Sequence, residues 1–365
     1  MVNIGIAGAG LLGRLLAWQL LRRGHAVTLF DRDHSEGEQA AARVAAAMLA
    51  PYSEAVACER EIFDWGCEAQ ALWPGLLEQL KTDSGFEVYF QQRGSLVVAH
   101  PQDRGDLQHF NQRLRAFLPD AMDRIEFVDR ARLQTLEPEL AERFGEATFL
   151  SAEGTLDNRE LLIHLATAIR RLGGQWRERT PVAAVDANRI ETDRDIHPFD
   201  MVIDARGFGA KPQQPDLRGV RGEVLWVHAP EVRLGRPVRL MHPRYQLYIS
   251  PKRDSVYVIG ATEIESEALT PITVRSSLEL QSALYSVHTG FAEAQVLHAY
   301  ANCRPAFLDN LPRIDISPGL MRVNGLYRHG YLLGPLVLHL ALRALEGDVR
   351  HRIVRTASDL NVVNR

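Results

Sequence analysis

The sequence has only three cysteines, Cys58, Cys67 and Cys303, among its 365 residues. Cys67 follows Cys58 by nine residues, a spacing typical of neither a zinc site nor a disulfide framework. Three scattered thiols are too few for either kind of site. We therefore interpret them as small packing residues or incidental thiols, and the sequence predicts no metal site.

The sequence also lacks a basic run and a long apolar run. Lys and Arg number 42 against 46 Asp and Glu, a net charge of −4 that does not favour nucleic acid as a partner. The most apolar late stretch, residues 330–345, is interrupted by Pro335, His339 and Arg343 and is too short to span a bilayer. A predicted strand starts at residue 2, which leaves no space for a targeting leader. These features predict a cytoplasmic protein without a membrane partner.

What the sequence does contain is a strand, a glycine-rich turn, a helix and a second strand within its first 33 residues. Residues 2–7 are typical of a buried strand, and residues 26–30 of a second one. Between them, residues 11–23 carry apolar side chains at helical spacing up to Gly24, a suitable helix end. Because 365 residues exceed one ordinary core, we expect this unit to belong to the first of two domains.

Three glycines between the first strand and the helix fit a dinucleotide-binding turn. Gly8 permits the tight turn, Gly10 lets a pyrophosphate approach the backbone, and Gly13 lets helix and strand pack closely. The helix N-terminus offers N–H groups and a partial positive charge to a diphosphate. Asp31, 18 residues after Gly13, can accept a hydrogen bond from a ribose hydroxyl. We interpret the unit as a dinucleotide site rather than a chance glycine-rich turn.

An alanine-dense segment, residues 40–49, follows a polar turn. Alanine at this density favours a helix, and small side chains also permit the close approach of a flat ligand. Arg43 lies inside the segment. Its guanidinium could pair with a phosphate or serve a packed helix, and the residues alone leave both possibilities open.

The rest of the chain predicts two kinds of structure. Segments that alternate strand, turn and helix are residues 147–150, 154–157, 159–172, 182–185, 201–207 and 319–345. Strands with short turns, typical of an antiparallel sheet, are residues 224–228, 238–241, 246–250 and 255–259. Further predictions are an antiparallel pair at 86–90 and 94–99, helices at 58–80 and 271–287, and a peripheral layer at 102–144.

These segments predict an α/β fold, α+β overall, in which a Rossmann-type domain is interrupted by an inserted antiparallel-sheet domain. The predicted nucleotide domain comprises residues 1–84, 147–218 and 301–365. The inserted domain comprises residues 85–146 and 219–300, and we expect it to bind substrate.

Several motifs occur together in an order that resembles a known family. They are Gly8–Gly13 with Asp31, Ala45–Leu49, Arg221–Glu223, Tyr248–Pro251, Gly260–Thr262, Cys303–Pro305 and Tyr327–Gly330. In this order they resemble the flavin-dependent D-amino-acid oxidase superfamily, and within it the glycine oxidase branch of thiamine biosynthesis. The resemblance covers nearly the whole chain.

The resemblance implies that the Rossmann-type domain is an FAD-binding domain and that FAD is held without a covalent bond. Covalent attachment in the related sarcosine oxidases uses a cysteine, so Cys303 is the alternative to consider. A positive helix end near the flavin ring would favour the anionic reduced flavin. The implied cofactor-binding residues are Gly8, Ala9, Gly10, Leu11, Leu12, Gly13, Asp31, Arg32, Arg43, Ala46, Ala47, Met48, Val182, Ala205, Gly207, Arg304, Gly330, Tyr331 and Leu332.

The resemblance also implies four catalytic residues. Arg304 matches an arginine that takes the substrate carboxylate through its planar fork. Tyr248 matches a tyrosine that helps to orient the carboxylate, and Arg328 an arginine that helps to hold substrate. His329 stands where similar glycine oxidases have a small or amide residue. It is either a titratable group near the substrate or a histidine at a helix N-terminus making one backbone hydrogen bond.

The implied reaction is oxidation of a small amino acid or amine, such as glycine or sarcosine, by hydride transfer to flavin N5. Dioxygen is the expected acceptor, and the products would be an imine or 2-oxo acid, ammonia and hydrogen peroxide. One alternative is an FAD-dependent amine dehydrogenase acting on a larger N-substituted glycine or an unknown amine. Another is a non-catalytic flavoprotein partner. The sequence does not indicate an oligomeric state.

Overall fold

The structure, a computed structural model, describes residues 1–242, 247–356 and 358–359. Gln246, the first residue of a predicted strand, and residues 360–365, the end of the predicted nucleotide domain, lie outside the described residues.

The strands are numbered along the chain. They are β1 (Asn3–Ala7), β2 (Ala26–Phe30), β3 (Met48–Leu49), β4 (Phe90–Gln91), β5 (Ser95–Ala99), β6 (Ile125–Asp129), β7 (Glu146–Leu150), β8 (Gly154–Leu156), β9 (Gln175–Arg177), β10 (Val182–Asp186), β11 (Arg189–Thr192), β12 (Ile196–Pro198), β13 (Met201–Asp204), β14 (Arg218–His228), β15 (Val238–Met241), β16 (Leu247–Pro251), β17 (Val256–Gly260), β18 (Gln295–Ala306), β19 (Arg313–Ser317), β20 (Leu320–Asn324) and β21 (Val354–Thr356).

The helices are α1 (Leu11–Arg22), α2 (Ala41–Val44), α3 (Pro51–Ala55), α4 (Arg60–Ser84), α5 (Arg104–Phe117), α6 (Arg130–Leu136), α7 (Pro138–Ala141), α8 (Asn158–Arg171), α9 (Val274–Val287) and α10 (Gly330–Leu345). Among the described residues, none of these helices combines the length and the apolar character needed to cross a membrane.

The predicted dinucleotide unit is at the centre of a seven-stranded sheet with the order β21-β19-β20-β13-β1-β2-β9. β1 pairs in parallel with β2 on one side and with β13 on the other. β19 and β20 form the antiparallel pair of this sheet. Parallel strands end at the same edge, so Gly8, Asp31 and Ala205, which follow β1, β2 and β13, lie together there. The Rossmann-type prediction is confirmed.

The predicted antiparallel domain is an eight-stranded sheet with the order β18-β14-β17-β16-β15-β5-β7-β6. Its neighbours are antiparallel except for β5 and β15, which run parallel. β14 and β18 are the longest strands and pair from Arg218 opposite Ala306 to His228 opposite Gln295. This pairing places residues 218–224 beside residues 300–306, which are distant in the sequence.

Four helices pack around two fully buried tryptophans, Trp18 of α1 and Trp73 of α4. Every residue of α1 from Leu11 to Leu20 is buried, because α8 and α10 cover it as well as the sheet. The indole N–H of Trp73 donates a hydrogen bond to the carbonyl of Tyr331 at 3.0 Å. The core therefore fixes the start of α10, which faces the candidate site.

Two local predictions differ from the structure. Residues 86–90 and 94–99 do not pair with each other: β4 pairs with β8, and β5 lies between β15 and β7. β5 is buried at all five positions and needs neighbours on both sides, which a hairpin with the two-residue β4 would not supply. β10 was predicted as a buried strand but belongs to a small antiparallel sheet with β11 and β12 and is only partly buried.

The predicted domain boundaries remain a prediction. Two segments assigned to the nucleotide domain are hydrogen bonded into the eight-stranded sheet: β7, between β5 and β6, and residues 301–306 of β18, along β14. The short sheet β3-β8-β4 carries the chain from that sheet back toward α8.

Candidate functional site

A cavity of about 1620 Å³ is bordered by both large sheets. Its wall includes the residues that follow β1, β2 and β13, together with side chains from β14, β16 and β18 and the N-terminus of α10. We call the region at Gly8–Leu12 the cofactor end. The substrate end consists of Glu54, Arg239, Tyr248, Glu263, Arg304, Arg328 and His329.

Most of the predicted site residues lie in this wall. They are Gly8, Ala9, Gly10, Leu11, Leu12, Asp31, Arg32, Ala46, Ala47, Met48, Val182, Ala205, Gly207, Tyr248, Arg304, Arg328, His329, Gly330, Tyr331 and Leu332. Gly13 and Arg43 lie outside it. The guanidinium of Arg43 donates a hydrogen bond to the carbonyl of Glu36 at 3.1 Å, so the structure shows a local structural use for this residue.

The three glycines of the turn have different surroundings. A Cβ at Gly13 would lie 1.8 Å from the carbonyl oxygen of Gly8, so glycine is required for α1 to approach the turn. Gly8 has a φ of +96°, and its Cβ would lie 2.6 Å from the carbonyl oxygen of Ala205. A Cβ at Gly10 would have no protein atom within 4 Å. Protein packing therefore explains Gly8 and Gly13, while Gly10 leaves space for a ligand.

The cofactor end suits an anionic dinucleotide. No side chain among the described residues caps the N-terminus of α1, which begins immediately after Gly10. A helix N-terminus of this kind offers N–H groups and a partial positive charge to phosphate. The carboxylate of Asp31 is fixed beside the turn, where it accepts hydrogen bonds from the N–H of Ala9 and, at 2.8 Å, from that of Asp33. These groups fit the diphosphate and ribose of FAD.

Arg14 is a residue of this end that the sequence interpretation missed. Its side chain is fully buried, and its Nε and Nη1 donate to the carbonyls of Ala9 and Leu162, both at 2.7 Å. Its Nη2 has no hydrogen-bond partner among the described residues. Burial lowers the pKa of Arg14 to about 10, so the guanidinium is still charged at neutral pH. A buried cation in the cavity wall further favours an anionic ligand here.

The alanine-dense segment is only partly helical. Residues 41–44 form α2, while Ala47 has a φ of +52° and β3 begins at Met48. The buried ammonium of Lys252, also missed by the sequence interpretation, donates to the carbonyls of Ala46 at 2.7 Å and Leu156 at 2.6 Å. Burial lowers the pKa of Lys252 to about 8. The segment is therefore held as an irregular wall rather than as a helix.

Arg304 and Tyr248 come together at the substrate end. The guanidinium of Arg304 lies flat against Gly222 of β14, where a Cβ would be 2.5 Å from its Nη2. Its Nη1 donates to the carbonyl of Thr262 at 3.1 Å. No carboxylate among the described residues forms a salt bridge with Arg304. Burial raises the pKa of Tyr248, while the nearby Arg304 opposes this effect, so the phenol stays protonated at neutral pH.

Arg328 differs from Arg304 because its charge is already paired. Its Nε lies 2.9 Å from a carboxylate oxygen of Glu54, and its Nη1 lies 3.2 Å from one of Glu263. The other oxygen of Glu54 lies 3.2 Å from Nη1 of Arg239. Glu54, Arg239 and Glu263 carry no motif in the sequence, so the sequence interpretation missed them.

His329 is in the cavity wall, 4% exposed, at the residue that precedes α10. Burial lowers its pKa to about 4, although the nearby Glu54 acts in the opposite direction. The imidazole is therefore neutral at physiological pH. Cys303 is also in the wall, and burial raises the pKa of its thiol, which disfavours the thiolate that covalent attachment requires.

Comparison with known proteins agrees with this geometry. A sequence profile described as "FAD dependent oxidoreductase" matches residues 3–341. The chain is 38% identical over 353 residues to a protein of Rhizobium etli named as a thiamine biosynthesis oxidoreductase, ThiO, and the match covers 97% of each chain. It is 24% identical to the glycine oxidase of Geobacillus kaustophilus, over 92% of this chain and 90% of that one.

Two solved structures share the fold. The crystal structure of glycine oxidase from Geobacillus kaustophilus superposes with a TM-score of 0.84 at 24% identity, covering 95% of each chain. Iminodiacetate oxidase from Chelativorans superposes with a TM-score of 0.82 at 23% identity, covering 97% of this chain and 99% of that one.

Proposed function

We propose that this chain, which belongs to the family of FAD dependent oxidoreductases, oxidises a small amino acid or amine of the glycine or sarcosine type. One observation carries the proposal. Among the described residues, Arg304 is the arginine of the substrate end that forms no salt bridge with a carboxylate, and it lies beside Tyr248. A planar guanidinium in this state suits the carboxylate of an amino acid.

FAD is the cofactor of this family, and the cofactor end has the groups to hold it. Gly8–Leu12 and the N-terminus of α1 would bind the diphosphate, Asp31 a ribose, and the small residues Ala46 and Ala47 would border the flavin ring. When bound, FAD supplies the chemistry of accepting a hydride from the substrate Cα at N5 and of returning two electrons to dioxygen.

The protein's own contribution is positioning. Arg304 would hold both carboxylate oxygens, and the Tyr248 hydroxyl would donate to one of them, so that the Cα–H has a single orientation. Positioning of this kind is worth roughly 7–11 kcal/mol in favourable intramolecular reactions.

No strong side-chain base is present at the substrate end among the described residues. The pKa of His329 is about 4, so this group is a weak base, and the carboxylate of Glu54 is held by two arginines that lower its pKa to about 2 against the opposing effect of burial. We infer that the substrate reacts as the free amine, whose lone pair forms the imine as the hydride leaves. Water then hydrolyses the imine to a 2-oxo acid and an amine, which is ammonia for glycine and methylamine for sarcosine.

Anaerobic reduction of the purified flavoprotein tests the proposal. Glycine, sarcosine, small D-amino acids and larger N-substituted glycines are added in turn, and the loss of flavin absorbance is recorded. We expect glycine or sarcosine to bleach the flavin, and air to restore the colour with release of hydrogen peroxide. Bleaching that only an artificial dye reverses would indicate a dehydrogenase. A bound flavin that none of these amines reduces would contradict the proposal.

A further inference from the structure

The substrate end contains more charged side chains than the binding of a single carboxylate requires. Three arginines, Arg239, Arg304 and Arg328, and two glutamates, Glu54 and Glu263, line it, and His329 is neutral. These described residues therefore sum to one positive charge. A ligand with one carboxylate and an uncharged amine balances that sum, whereas a dicarboxylate exceeds it.

Glu54 has the central place among these charges. Its two carboxylate oxygens lie 2.9 Å from Nε of Arg328 and 3.2 Å from Nη1 of Arg239, so one carboxylate bridges two arginines. It lies at the end of α3, held by the contact of Arg239 with the carbonyl of Ser53 at 2.6 Å. Its side chain is 24% exposed, and as a residue of the cavity wall it faces the site rather than bulk water.

Glu263 is less suited than Glu54 to repelling a charged ligand in the cavity. It pairs with Arg328 and accepts a hydrogen bond from the hydroxyl of Tyr327 at 2.6 Å. Its side chain is 48% exposed, so solvent screens its charge more strongly than that of Glu54.

We propose that Glu54 is a specificity-determining residue, which restricts the substrate end to ligands with a single carboxylate because, together with Glu263, it balances the charges of Arg239 and Arg328. The inference rests on the proposed function and deepens it. Arg304 is left to bind the one carboxylate of the substrate, and the negative charge of Glu54 repels a second carboxylate that enters the same space. Without that charge, the sum over these residues rises from one positive charge to two, and the site attracts the second carboxylate.

Binding of two small acids that cannot be oxidised tests this directly. Acetate has one carboxylate and malonate has two, and each is titrated into the oxidised holoenzyme while the change in the flavin spectrum reports the Kd. We expect malonate to bind the wild-type protein no more tightly than acetate. Tighter binding of malonate by the wild-type protein would overturn the proposal without any variant.

The isosteric variant Glu54→Gln removes the charge and keeps the shape. We expect the ratio of the acetate Kd to the malonate Kd to rise by at least about tenfold, because one like charge next to the second carboxylate is gone. Glu54→Asp keeps the charge and should keep the wild-type ratio. An unchanged ratio in Glu54→Gln, or an equal rise in Glu54→Asp, would contradict a role for the charge.

Glu279→Gln is the matched control, since Glu279 of α9 also lines the cavity but forms no salt bridge with the three arginines among the described residues. Its ratio should equal that of the wild type. If the ratio of the acetate Kd to the malonate Kd rises as much in this control as in Glu54→Gln, the effect comes from the total charge of the cavity and the proposal fails.

The binding assay is independent of turnover, so the two proposals fail separately. If no amine reduces the flavin but malonate is still excluded by Glu54, the proposed function is wrong and the selection by charge stands. If glycine reduces the flavin and malonate binds the wild-type protein as tightly as it binds Glu54→Gln, the role of Glu54 is wrong and the proposed function stands.

Discussion

The two ends of the cavity are built in different ways. The cofactor end consists mainly of backbone: a turn that needs glycine at two positions, the start of α1, and a carboxylate fixed by main-chain N–H groups. The substrate end consists mainly of charged side chains, which come from α3, β15, β18, the segment after β17 and the residues before α10. Local sequence therefore specifies the first end, whereas the second depends on pairing between distant strands.

The largest expected effect is at the substrate end. Arg304→Ala removes the cation that we assign to the substrate carboxylate, and we expect KM for glycine to rise by about 100-fold or more, since charged hydrogen bonds of this kind are each worth about 1.5–3 kcal/mol. Steady-state kinetics measures this, and the flavin content should not change. Arg304→Lys should be intermediate, because an ammonium lacks the planar fork. An unchanged KM would contradict the assignment.

The next effect is at the cofactor end and concerns folding. Gly13→Ala places a methyl group 1.8 Å from the carbonyl oxygen of Gly8, so α1 must move. We expect the free energy of unfolding of the flavin-free protein to fall by about 2 kcal/mol, as for other overpacked sites. Urea denaturation followed by circular dichroism measures this. Wild-type stability in this variant would show that the turn is not as tightly packed as the structure indicates.

Gly10→Ala is the matched comparison, with a smaller effect of a different kind. Its Cβ would meet no protein atom within 4 Å, so the flavin-free protein should keep its stability. The methyl group would lie where we place the diphosphate, and we expect the Kd for FAD to rise by about tenfold, or roughly 1.4 kcal/mol. Titration of the flavin-free protein with FAD measures this. Wild-type affinity would remove the reason for placing the diphosphate there.

The last expected effect is confined to acidic pH and is the contribution of His329 to the pH dependence of stability. Because the folded protein lowers the pKa from 6.5 to about 4, the unfolded chain binds a proton in this interval that the folded chain does not. The contribution of His329 to the free energy of unfolding is therefore fully present above pH 6.5. It is lost as the pH falls toward 4, at a rate of no more than about 1.4 kcal/mol per pH unit.

His329→Gln should reduce that slope, because glutamine does not titrate. Denaturant unfolding of the wild-type protein and of His329→Gln at pH 5 and pH 7 measures the difference between their slopes. Because the other titrating groups are the same in both proteins, this difference reports the contribution of His329. Equal slopes would mean that His329 is not buried in its neutral form.

The sequence predicted the turn of the cofactor end because each residue of that turn has a local reason. Gly8, Gly10 and Gly13 are recognisable from their spacing between a strand and a helix, and Asp31 from its position after the second strand. The resemblance to a family added Arg304 and Tyr248. Residues that act through long-range contacts were missed: Glu54 and Lys252 reach their partners Arg239 and Ala46 across 185 and 206 positions of the chain.

The incorrect strand pairing has the same origin. β4 and β5 are adjacent in sequence with Gly94 between them, which favours the prediction of a hairpin. The fully buried β5 instead pairs with β7 and β15. The identity of a buried strand's neighbours depends on the whole sheet, which local sequence does not specify.

The most direct test of the central claim compares two amines that differ only in the carboxylate. Glycine and methylamine are mixed separately with the oxidised flavoprotein in the absence of oxygen, and the rate of flavin bleaching is measured at equal concentrations of free amine. We expect glycine to bleach the flavin and methylamine to be at least about 100-fold slower, because only glycine engages Arg304. Equal rates would show that Arg304 does not select the substrate by its carboxylate.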